Sequence, residues 1–145
     1  MKLIVAVNKL GYIGKDGKLM WKCSEDMKHF KETTMGHTCI VGYKTWKYDL
    51  KEKGLVGRVT LVDYDNIGLG ISGHTGNIFV IGGAKTYEKY LPYVDTIYLS
   101  VIEDYQVGDT KFEIPEWYKG EVITKYFKPD NYVEELDFGG IEPTD

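Results

Sequence analysis

The sequence predicts an α/β fold: a single domain over residues 1–145 with a central, mostly parallel twisted sheet, an antiparallel C-terminal strand pair and flanking helices. Three observations favour this class. Apolar, β-rich runs alternate with short amphipathic stretches, two of these runs end in glycine before a helical stretch, and 145 residues suit one hydrophobic core. Hydrophobic residues make up 43% and charged residues 28% of the chain, which excludes a disordered or collagen-like protein.

The first third of the chain predicts a strand, a loop and a helix. Lys2–Asn8 is apolar on both faces, which is typical of a central parallel strand. Residues 9–20 are predicted to form a loop because glycines recur through them. Ser24 is predicted to cap a helix over residues 25–33.

A strand, a glycine and a helical stretch then occur twice. Residues 38–41 predict a strand, Gly42 a turn and residues 43–48 the start of a helix; residues 78–81 predict a strand, followed by Gly82-Gly83 and a helix over Ala84–Tyr90. Further strands are predicted at residues 58–62 and 97–102. Glu121–Phe127 and residues 132–138 are expected to form the closing antiparallel pair, and residues 64–77 show no convincing helix.

Charge and cysteine content narrow the function classes. The net charge is −4 and the sequence pI is about 5.4, which argues against a general nucleic-acid-binding protein. No apolar run reaches the roughly 18 residues of a membrane helix, and the first residues lack a signal-peptide pattern. Cys23 and Cys39 form no CxxC motif and the three histidines complete no zinc-ligand spacing. We expect a cytoplasmic monomer that holds no metal and binds neither nucleic acid nor a membrane.

Two strand-to-helix junctions are candidate phosphate sites: Ile81-Gly82-Gly83-Ala84 and Val41-Gly42-Tyr43-Lys44-Thr45. The first amides of a helix are unpaired and carry partial positive charge, and glycine lets a phosphate approach the backbone. Lys44, Thr45 and Lys85 could add donors. Together the junctions suit the paired phosphates of a dinucleotide, although each glycine could simply turn the chain.

Two charged residues are candidates for substrate chemistry. Asp26, in the first turn of the predicted helix beside Phe30, either complements the helix dipole or faces an apolar cleft. In a cleft, desolvation would raise its pKa and let it hold or pass a proton near neutral pH. Arg58 is the single arginine among 18 basic residues. Its guanidinium suits a bidentate bond to a carboxylate, or a surface salt bridge.

Two aromatic residues are further candidates. Trp21 and Phe30 could contact a flat ligand or belong to the core.

In order and spacing, several segments resemble dihydrofolate reductase. They are Leu3-Ile4-Val5-Ala6-Val7, Ile13-Gly14, Leu19-Met20-Trp21, Glu25-Asp26-Met27-Lys28-His29-Phe30-Lys31, Val41-Gly42-Tyr43-Lys44-Thr45-Trp46, Leu55-Val56-Gly57-Arg58, Val80-Ile81-Gly82-Gly83-Ala84-Lys85-Thr86-Tyr87 and Gly108-Asp109-Thr110. The resemblance covers the chain through Phe112 and extends more loosely to the closing strands. It implies reduction of 7,8-dihydrofolate to 5,6,7,8-tetrahydrofolate by hydride from NADPH, in support of one-carbon metabolism and thymidylate synthesis.

The resemblance also implies roles for residues on the substrate side. Asp26 would bind the pterin 2-amino group and N3 and promote protonation of N5, Ser100 would support that carboxylate, and Trp21 would hold a water. Tyr87 would lie beside the region of hydride transfer. The implied substrate contacts are the backbone carbonyls of Val5 and Ile81, the side chains of Phe30, Leu50 and Leu55, and Arg58 on the α-carboxylate of the glutamate tail.

On the cofactor side, the resemblance implies that Ala6, Ile13 and Gly14 contact the nicotinamide. The implied contacts near the phosphates are Gly42, Lys44, Thr45, Gly82, Gly83, Ala84 and Lys85. The family has a cis peptide at Gly82-Gly83, and residues 9–20 would be a mobile loop that closes over the nicotinamide and excludes water. Met20 stands where the family usually has proline.

Three positions depart from the family pattern near the 2′-phosphate of NADPH. Asp63 and Tyr64 stand where hydroxyl residues often occur, and Tyr43 replaces a frequent arginine. Asp63 would repel a phosphate unless Lys44 and Lys85 compensate. We therefore expect that NADPH is used with a weakened preference over NADH, which the ratio of kcat/KM for the two cofactors measures.

Two rival interpretations stay open at this point. A pyrimidine or pterin reductase of the same fold would share both phosphate junctions but would not need Asp26 together with Arg58. A non-catalytic, ligand-sequestering module could keep the fold with little turnover. Oxidation of NADPH in the presence of dihydrofolate would distinguish a dihydrofolate reductase from both of these rivals.

Overall fold

Within residues 1–64 and 77–131, which the computed structural model describes, the chain forms eight strands and two α-helices. The strands are β1 (Lys2–Asn8), β2 (Tyr12–Gly14), β3 (Thr38–Gly42), β4 (Val59–Asp63), β5 (Ile78–Gly82), β6 (Thr96–Ile102), β7 (Thr110–Lys111) and β8 (Glu121–Phe127). The helices are α1 (Ser24–Thr34) and α2 (Ala84–Tyr90); a π-helical turn covers Thr45–Asp49 and a 3-10 turn covers Leu91–Tyr93.

Six strands form one sheet in the order β4-β3-β5-β1-β6-β8, with every neighbouring pair parallel. The central strand, β1, pairs with β6 along its whole length, from Lys2 opposite Thr96 to Asn8 opposite Ile102. β2 and β7 form a separate antiparallel pair. The predicted fold class, a mostly parallel sheet with an antiparallel pair, is therefore confirmed.

The two faces of β1 belong to different layers of the core, because successive side chains of a strand point to opposite sides. Leu3, Val5 and Val7 pack on one face with side chains of α2, among them Tyr87 and Tyr90. On the other face Ala6 packs against a second cluster, formed by Trp21, Cys23 and Ile102. Cys23 directly precedes α1, so this helix starts next to the second cluster.

Only the first strand of the predicted C-terminal antiparallel pair lies within the described residues. This strand, β8, has the predicted bounds and runs parallel to β6, with Thr96 opposite Glu121 and Ile102 opposite Phe127. The predicted partner of β8, residues 132–138, lies outside the described residues, as do residues 65–76 of the glycine-rich stretch. The antiparallel pairing that the structure does describe joins β2, which lies in the predicted loop of residues 9–20, to β7, for which the sequence analysis predicted no element.

Several element boundaries also shift. α1 begins at Ser24, and its cap residue is Cys23, whose backbone is extended and whose side chain makes no capping bond. The prediction that Ser24 caps the helix was wrong, because its hydroxyl donates to Asp130 instead. Gly42 is the last residue of β3 rather than a turn, and β4 starts one residue after Arg58.

Candidate active site

The structure places Asp26 in the first turn of α1, on the side of the sheet that holds Trp21. Trp21 is 8% exposed and packs with Cys23 and Ile102. Asp26 is half-buried, and the Ser100 hydroxyl is close enough to lower the pKa of its carboxyl. Ser100 is 1% exposed and lies opposite Ala6 in the neighbouring strand. The sequence-predicted acid and its predicted supporting hydroxyl are thus brought together beneath α1.

Burial is the main influence on the Asp26 carboxyl. Loss of water around the side chain raises its pKa, while the Ser100 hydroxyl and the nearby His29 ring act in the opposite direction. The net direction is upward, so Asp26 stays protonated to a higher pH than an exposed aspartate does. A raised pKa moves the carboxyl towards the pH range in which acid–base catalysts operate.

Tyr87 connects two strands next to this acid. Its ring is buried, and its hydroxyl lies 2.8 Å from the Ile4 carbonyl oxygen and 3.0 Å from the Ile81 carbonyl oxygen. Burial, followed by the nearby Asp26 charge, raises the pKa of the phenol, which therefore remains a donor. The Ile81 carbonyl, which the family resemblance assigned to the pterin, thus lies next to the Tyr87 hydroxyl together with the Ile4 carbonyl of β1. The predicted Val5 is buried one residue further along β1.

Arg58 is held beside α1 by two hydrogen bonds. Its Nε donates to the Val56 carbonyl at 3.0 Å, and its Nη1 donates to Thr34 Oγ1 at 3.1 Å. The Thr34 hydroxyl donates in turn to the Phe30 carbonyl at 2.8 Å, and the Arg58 guanidinium lies 5.9 Å from the centre of the Phe30 ring. These contacts leave other N–H groups of the guanidinium available to a carboxylate.

The remaining predicted substrate residues lie in the segment that leads to Arg58. Leu50 and Leu55 are both half-buried, and Leu50 follows the π-helical turn, where its N–H donates to the Thr45 carbonyl. The Leu55 carbonyl accepts the Arg58 N–H at 3.1 Å. Their half-exposed apolar side chains fit a wall for a flat ring, as Phe30 does.

The predicted phosphate junctions meet at the carboxyl edge of β3 and β5. A β-carbon on Gly42 would collide with Thr86 Oγ1, and one on Gly83 would lie 3.2 Å from Thr45 Oγ1. The peptide bond between Gly82 and Gly83 is cis, as the family resemblance implied. This edge therefore brings threonine hydroxyls close to glycine backbone, a set of small donors that fits an anionic phosphate. Thr86 was not selected from the sequence.

Lysines around this edge take different positions. Lys44 and Lys85 are exposed, and Ala84 beside Lys85 is half-buried. Asp63 is 6% exposed, and both of its carboxylate oxygens lie 2.9 Å from Lys89 Nζ. Asp63 is thus paired with Lys89, on the last turn of α2, a cation that the sequence analysis did not select.

The predicted nicotinamide contacts lie at the ends of β1 and β2. Ala6, Ile13 and Gly14 are all half-buried, and Ala6 packs against the Trp21 cluster. The Gly14 carbonyl accepts the Asp109 N–H at 3.0 Å. This bond ties the loop to the segment that precedes β7.

Residues 9–20 are anchored by side chains that the sequence analysis did not select. Asn8, 1% exposed, accepts the N–H groups of Leu10 and Tyr12 and donates to Asp104 Oδ2 at 3.0 Å. Gln106 Nε2 donates to the Met20 carbonyl at 2.8 Å. A polar residue at the end of an apolar strand was the available signal for Asn8, but the carboxylate to which it donates lies 96 residues away.

No helix among the residues that the structure describes is long and apolar enough to span a membrane. Over the same residues, no group of three His, Cys, Asp or Glu side chains could hold a metal ion.

A parallel sheet with a glycine-rich carboxyl edge and a desolvated carboxyl beside it is the arrangement of an α/β enzyme that binds a nucleotide cofactor across its strand ends. The dihydrofolate reductase family model matches residues 1–138. The chain belongs to the dihydrofolate reductase family.

Individual relatives agree with this assignment. The chain is 34% identical to the dihydrofolate reductase of Buchnera aphidicola over 131 residues, which cover 81% of this chain and 80% of that protein. It is 32% identical to dihydrofolate reductase type 9 of Escherichia coli, over 79% of this chain and 76% of the relative. A solved dihydrofolate reductase from Enterococcus faecalis, complexed with NADP(H) and RAB-propyl, superposes with a TM-score of 0.67 at 29% identity, covering 80% of this chain and 78% of its own.

Proposed function

We propose that Asp26 is the catalytic acid of an NADPH-dependent reduction of 7,8-dihydrofolate to 5,6,7,8-tetrahydrofolate. The reaction follows from the family: the protein is an oxidoreductase that reduces dihydrofolate with NADPH. The observation that carries the assignment of Asp26 is its half-buried carboxyl, whose pKa is raised by desolvation and which faces the buried Ser100 hydroxyl.

Asp26 acts on the pterin in two ways. Its carboxyl binds the 2-amino group and N3, which orients the ring, and it promotes protonation of N5. A protonated N5 makes the adjacent carbon a better hydride acceptor, and a single carboxyl group in a poorly hydrated site stabilises that developing charge more strongly than it would in water. Ser100 is a positioning residue, because its hydroxyl holds the carboxylate in place. Trp21, buried beside Cys23, closes this side of the site and holds a water there.

The substrate lies in the space between α1 and the segment that leads to β4. Phe30, Leu50 and Leu55 contact the flat rings, and Arg58 binds the α-carboxylate of the glutamate tail. The role of Arg58 is supported by its hydrogen bonds to Val56 and Thr34, which fix the guanidinium and leave its other N–H groups to bind a carboxylate. The pterin contacts the backbone carbonyls of Val5 in β1 and Ile81 in β5, next to Tyr87.

NADPH supplies the hydride when bound. Ala6, Ile13 and Gly14 orient its nicotinamide, and residues 9–20 exclude water from it. At the carboxyl edge of β3 and β5, the backbone and hydroxyl donors hold the phosphates, with two lysines nearby; these residues are Gly42, Lys44, Thr45, Gly82, Gly83, Ala84 and Lys85. The fit of this edge to an anion is supported by the close approach of Thr45 and Thr86 to the glycine backbone.

The wider setting of the protein is also part of the proposal. It works as a cytoplasmic monomer that supports one-carbon metabolism and thymidylate synthesis, without a nucleic-acid or membrane partner. Its acidity and its two free, buried cysteines support this setting, since free thiols are typical of reducing compartments. Size-exclusion chromatography with light scattering tests the monomer.

The decisive experiment compares Asp26→Asn with Glu25→Gln, a matched loss of charge at the exposed neighbour in the same helical turn. We expect Asp26→Asn to reduce the rate of hydride transfer at pH 7 by about 100-fold or more, with little change in the Kd of NADPH, because only the proton-exchanging group is lost. Glu25→Gln should behave as the wild type. Single-turnover oxidation of NADPH with dihydrofolate measures the rate.

Two outcomes would contradict the proposal. Equal rates for Asp26→Asn and the wild type would remove the role of Asp26. A wild-type protein that binds NADPH but does not oxidise it with dihydrofolate would favour the pterin reductase or ligand-sequestering interpretation.

A further inference from the structure

Asp26 and His29 lie about one turn apart on the same side of α1. Residues three apart on a helix are neighbours, with Cβ atoms roughly 5–6 Å from each other. Both side chains are half-buried. The ring centres of His29 and Phe127 are 5.8 Å apart, and His29 Nδ1 lies 3.4 Å from Thr33 Oγ1. Since Phe127 belongs to β8, the imidazole is held between α1 and that strand.

The sheet places a second pair of side chains next to these two. Ser100 in β6 is opposite Lys125 in β8. Phe127 follows Lys125 by two residues, so both side chains point to the face of β8 on which the His29 ring lies. Neighbouring strands are about 4.8 Å apart, which is close to the spacing of Asp26 and His29. The Ser100 hydroxyl therefore acts on Asp26, and the Lys125 charge acts on His29.

The charged groups of α1 and β8 affect the imidazole in opposite directions. Burial lowers the pKa of His29, and the Lys125 ammonium lowers it further. The carboxylates of Asp26 and Glu32, both on α1, raise it. In return, burial raises the pKa of Asp26, while the Ser100 hydroxyl and then the His29 charge lower it. The two side chains are thus electrostatically coupled.

The other titratable groups near Asp26 carry no charge near neutral pH. Burial raises the pKa of the Cys23 thiol and that of the Tyr87 phenol, so both groups keep their protons. Within the described part of the chain, the group whose charge acts on the Asp26 carboxyl is therefore His29.

We propose that His29 is a positioning residue that acts through Asp26: the charged imidazole favours the ionised carboxylate and so sets the pH range in which Asp26 exchanges a proton. The inference rests on the proposed function, which makes Asp26 the proton-exchanging group. Lys125 has a secondary part, because its ammonium opposes the charge on His29. Two opposite charges separated by one helical turn attract each other more strongly in a poorly hydrated site than in water.

The first test is the pH profile of hydride transfer, measured by single-turnover oxidation of NADPH with dihydrofolate. The wild-type rate should fall as the pH rises and Asp26 loses its proton. His29→Gln removes the cation, so Asp26 keeps its proton longer and the midpoint should move up by about half a pH unit or more. Lys125→Gln lets His29 stay charged to higher pH, so its midpoint should move down. Lys28→Gln, an exposed loss of charge beside His29, should leave the midpoint unchanged.

The double variant His29→Gln/Lys125→Gln separates an action through His29 from a direct one. Because Lys125 acts on the imidazole, its removal should have no further effect once the imidazole is gone. The double variant should therefore have the midpoint of His29→Gln. Lys125 is exposed, so its replacement also tests the coupling without disturbing the packing of His29 on Phe127.

The second test needs no turnover. NMR titration of the histidine rings in the wild type and in Asp26→Asn measures the reciprocal effect, since two coupled groups shift each other equally. We expect the pKa of His29 to be lower in Asp26→Asn, because the imidazolium loses its carboxylate. His37, whose ring contacts Phe79, is the internal control and should titrate alike in both proteins.

Four outcomes would overturn the inference. They are a lower rate in His29→Gln with an unmoved midpoint, an upward or absent shift in Lys125→Gln, a midpoint of the double variant that differs from that of His29→Gln, and an unchanged His29 titration in Asp26→Asn. The first is the result expected if His29 only packs against Phe127. A failure of the proposed function is distinguishable, because it would appear as a wild type that does not oxidise NADPH with dihydrofolate, whereas the NMR titration would still report the coupling.

Discussion

Ser24 and Asp130 join the start of α1 to the segment after β8 by two hydrogen bonds. The Ser24 hydroxyl donates to Asp130 Oδ2 at 2.7 Å and its backbone N–H donates to Asp130 Oδ1 at 2.8 Å. The Asp130 N–H donates to the Lys22 carbonyl at 2.7 Å, and the Cys23 thiol donates to the Lys128 carbonyl at 3.4 Å. The helix turn that carries the proposed catalytic acid is thus positioned by the C-terminal part of the described chain.

Replacing Asp130 should weaken this attachment. We expect Asp130→Ala to lower both the Tm and kcat, because the first turn of α1 loses two acceptors and the Asp26 carboxyl moves relative to Ser100. Ser24→Ala, which keeps the backbone bond, should have a smaller effect on both. Thermal melts and steady-state oxidation of NADPH measure the changes; a variant with wild-type Tm and kcat would show that the bonds do not position the helix.

The same pair predicts a pH dependence of stability. The bonds from the Ser24 N–H and hydroxyl lower the pKa of the Asp130 carboxyl. A carboxyl with a lower pKa in the folded state than in the unfolded state stabilises the fold above its unfolded pKa, and this contribution is lost as the pH falls through the folded pKa. The difference in Tm between the wild type and Asp130→Ala should therefore be largest near neutral pH and shrink below about pH 4. A difference that grows with acidity would contradict this assignment.

The sequence predicted what local patterns encode. The apolar runs of β1, β3, β5 and β6 identified the parallel sheet to within a residue or two, because burial on both faces leaves a continuous apolar signature. α2 was predicted with its observed bounds, because a glycine pair marks its start and the amphipathic stretch that follows shows its length.

Contacts between distant residues were not predictable in the same way. Ser24 was predicted to cap α1 because it precedes the helical stretch. The acceptor that its hydroxyl actually bonds, Asp130, lies 106 residues further along the chain, so no local pattern indicates it. Asn8 bonds to Asp104, 96 residues away, and nothing near Asn8 in the sequence indicates that partner. The Tyr87 hydroxyl bonds to the Ile4 carbonyl, 83 residues away, and no local pattern around Tyr87 indicates that partner.

Arg58 should be essential for substrate affinity rather than for the chemical step. We expect Arg58→Lys to raise the KM for dihydrofolate about tenfold with a smaller change in kcat, because an ammonium cannot form the two-pronged bond of a guanidinium. Lys53→Gln, an exposed change of charge in the same segment, is the matched control. Initial rates over a range of dihydrofolate concentrations separate KM from kcat, and an unaltered KM would remove the assigned role.

The Tyr87 hydroxyl should contribute to stability through the two carbonyls that it joins. We expect Tyr87→Phe to lower the free energy of unfolding by about 1–3 kcal/mol, because the Ile4 and Ile81 carbonyls then lose a buried donor. Tyr118→Phe removes a hydroxyl whose bond, to the Glu121 carbonyl at 3.2 Å, is exposed, and it should cost less. Urea titrations of both variants measure the difference. Equal losses in the free energy of unfolding would show that the buried bond stabilises the fold no more than the exposed one.

Gly42 and Thr86 should be energetically coupled. A β-carbon at Gly42 would collide with Thr86 Oγ1, so we expect Gly42→Ala to lower the free energy of unfolding by about 1–3 kcal/mol and to weaken NADPH binding, because β3 and α2 must separate at the phosphate edge. Adding Thr86→Ala removes the colliding atom, so the double variant should recover much of the loss in stability. Urea titrations of the two single variants and the double variant give the interaction energy. Losses that simply add would mean that the two residues do not share the contact on which the geometry of this edge depends.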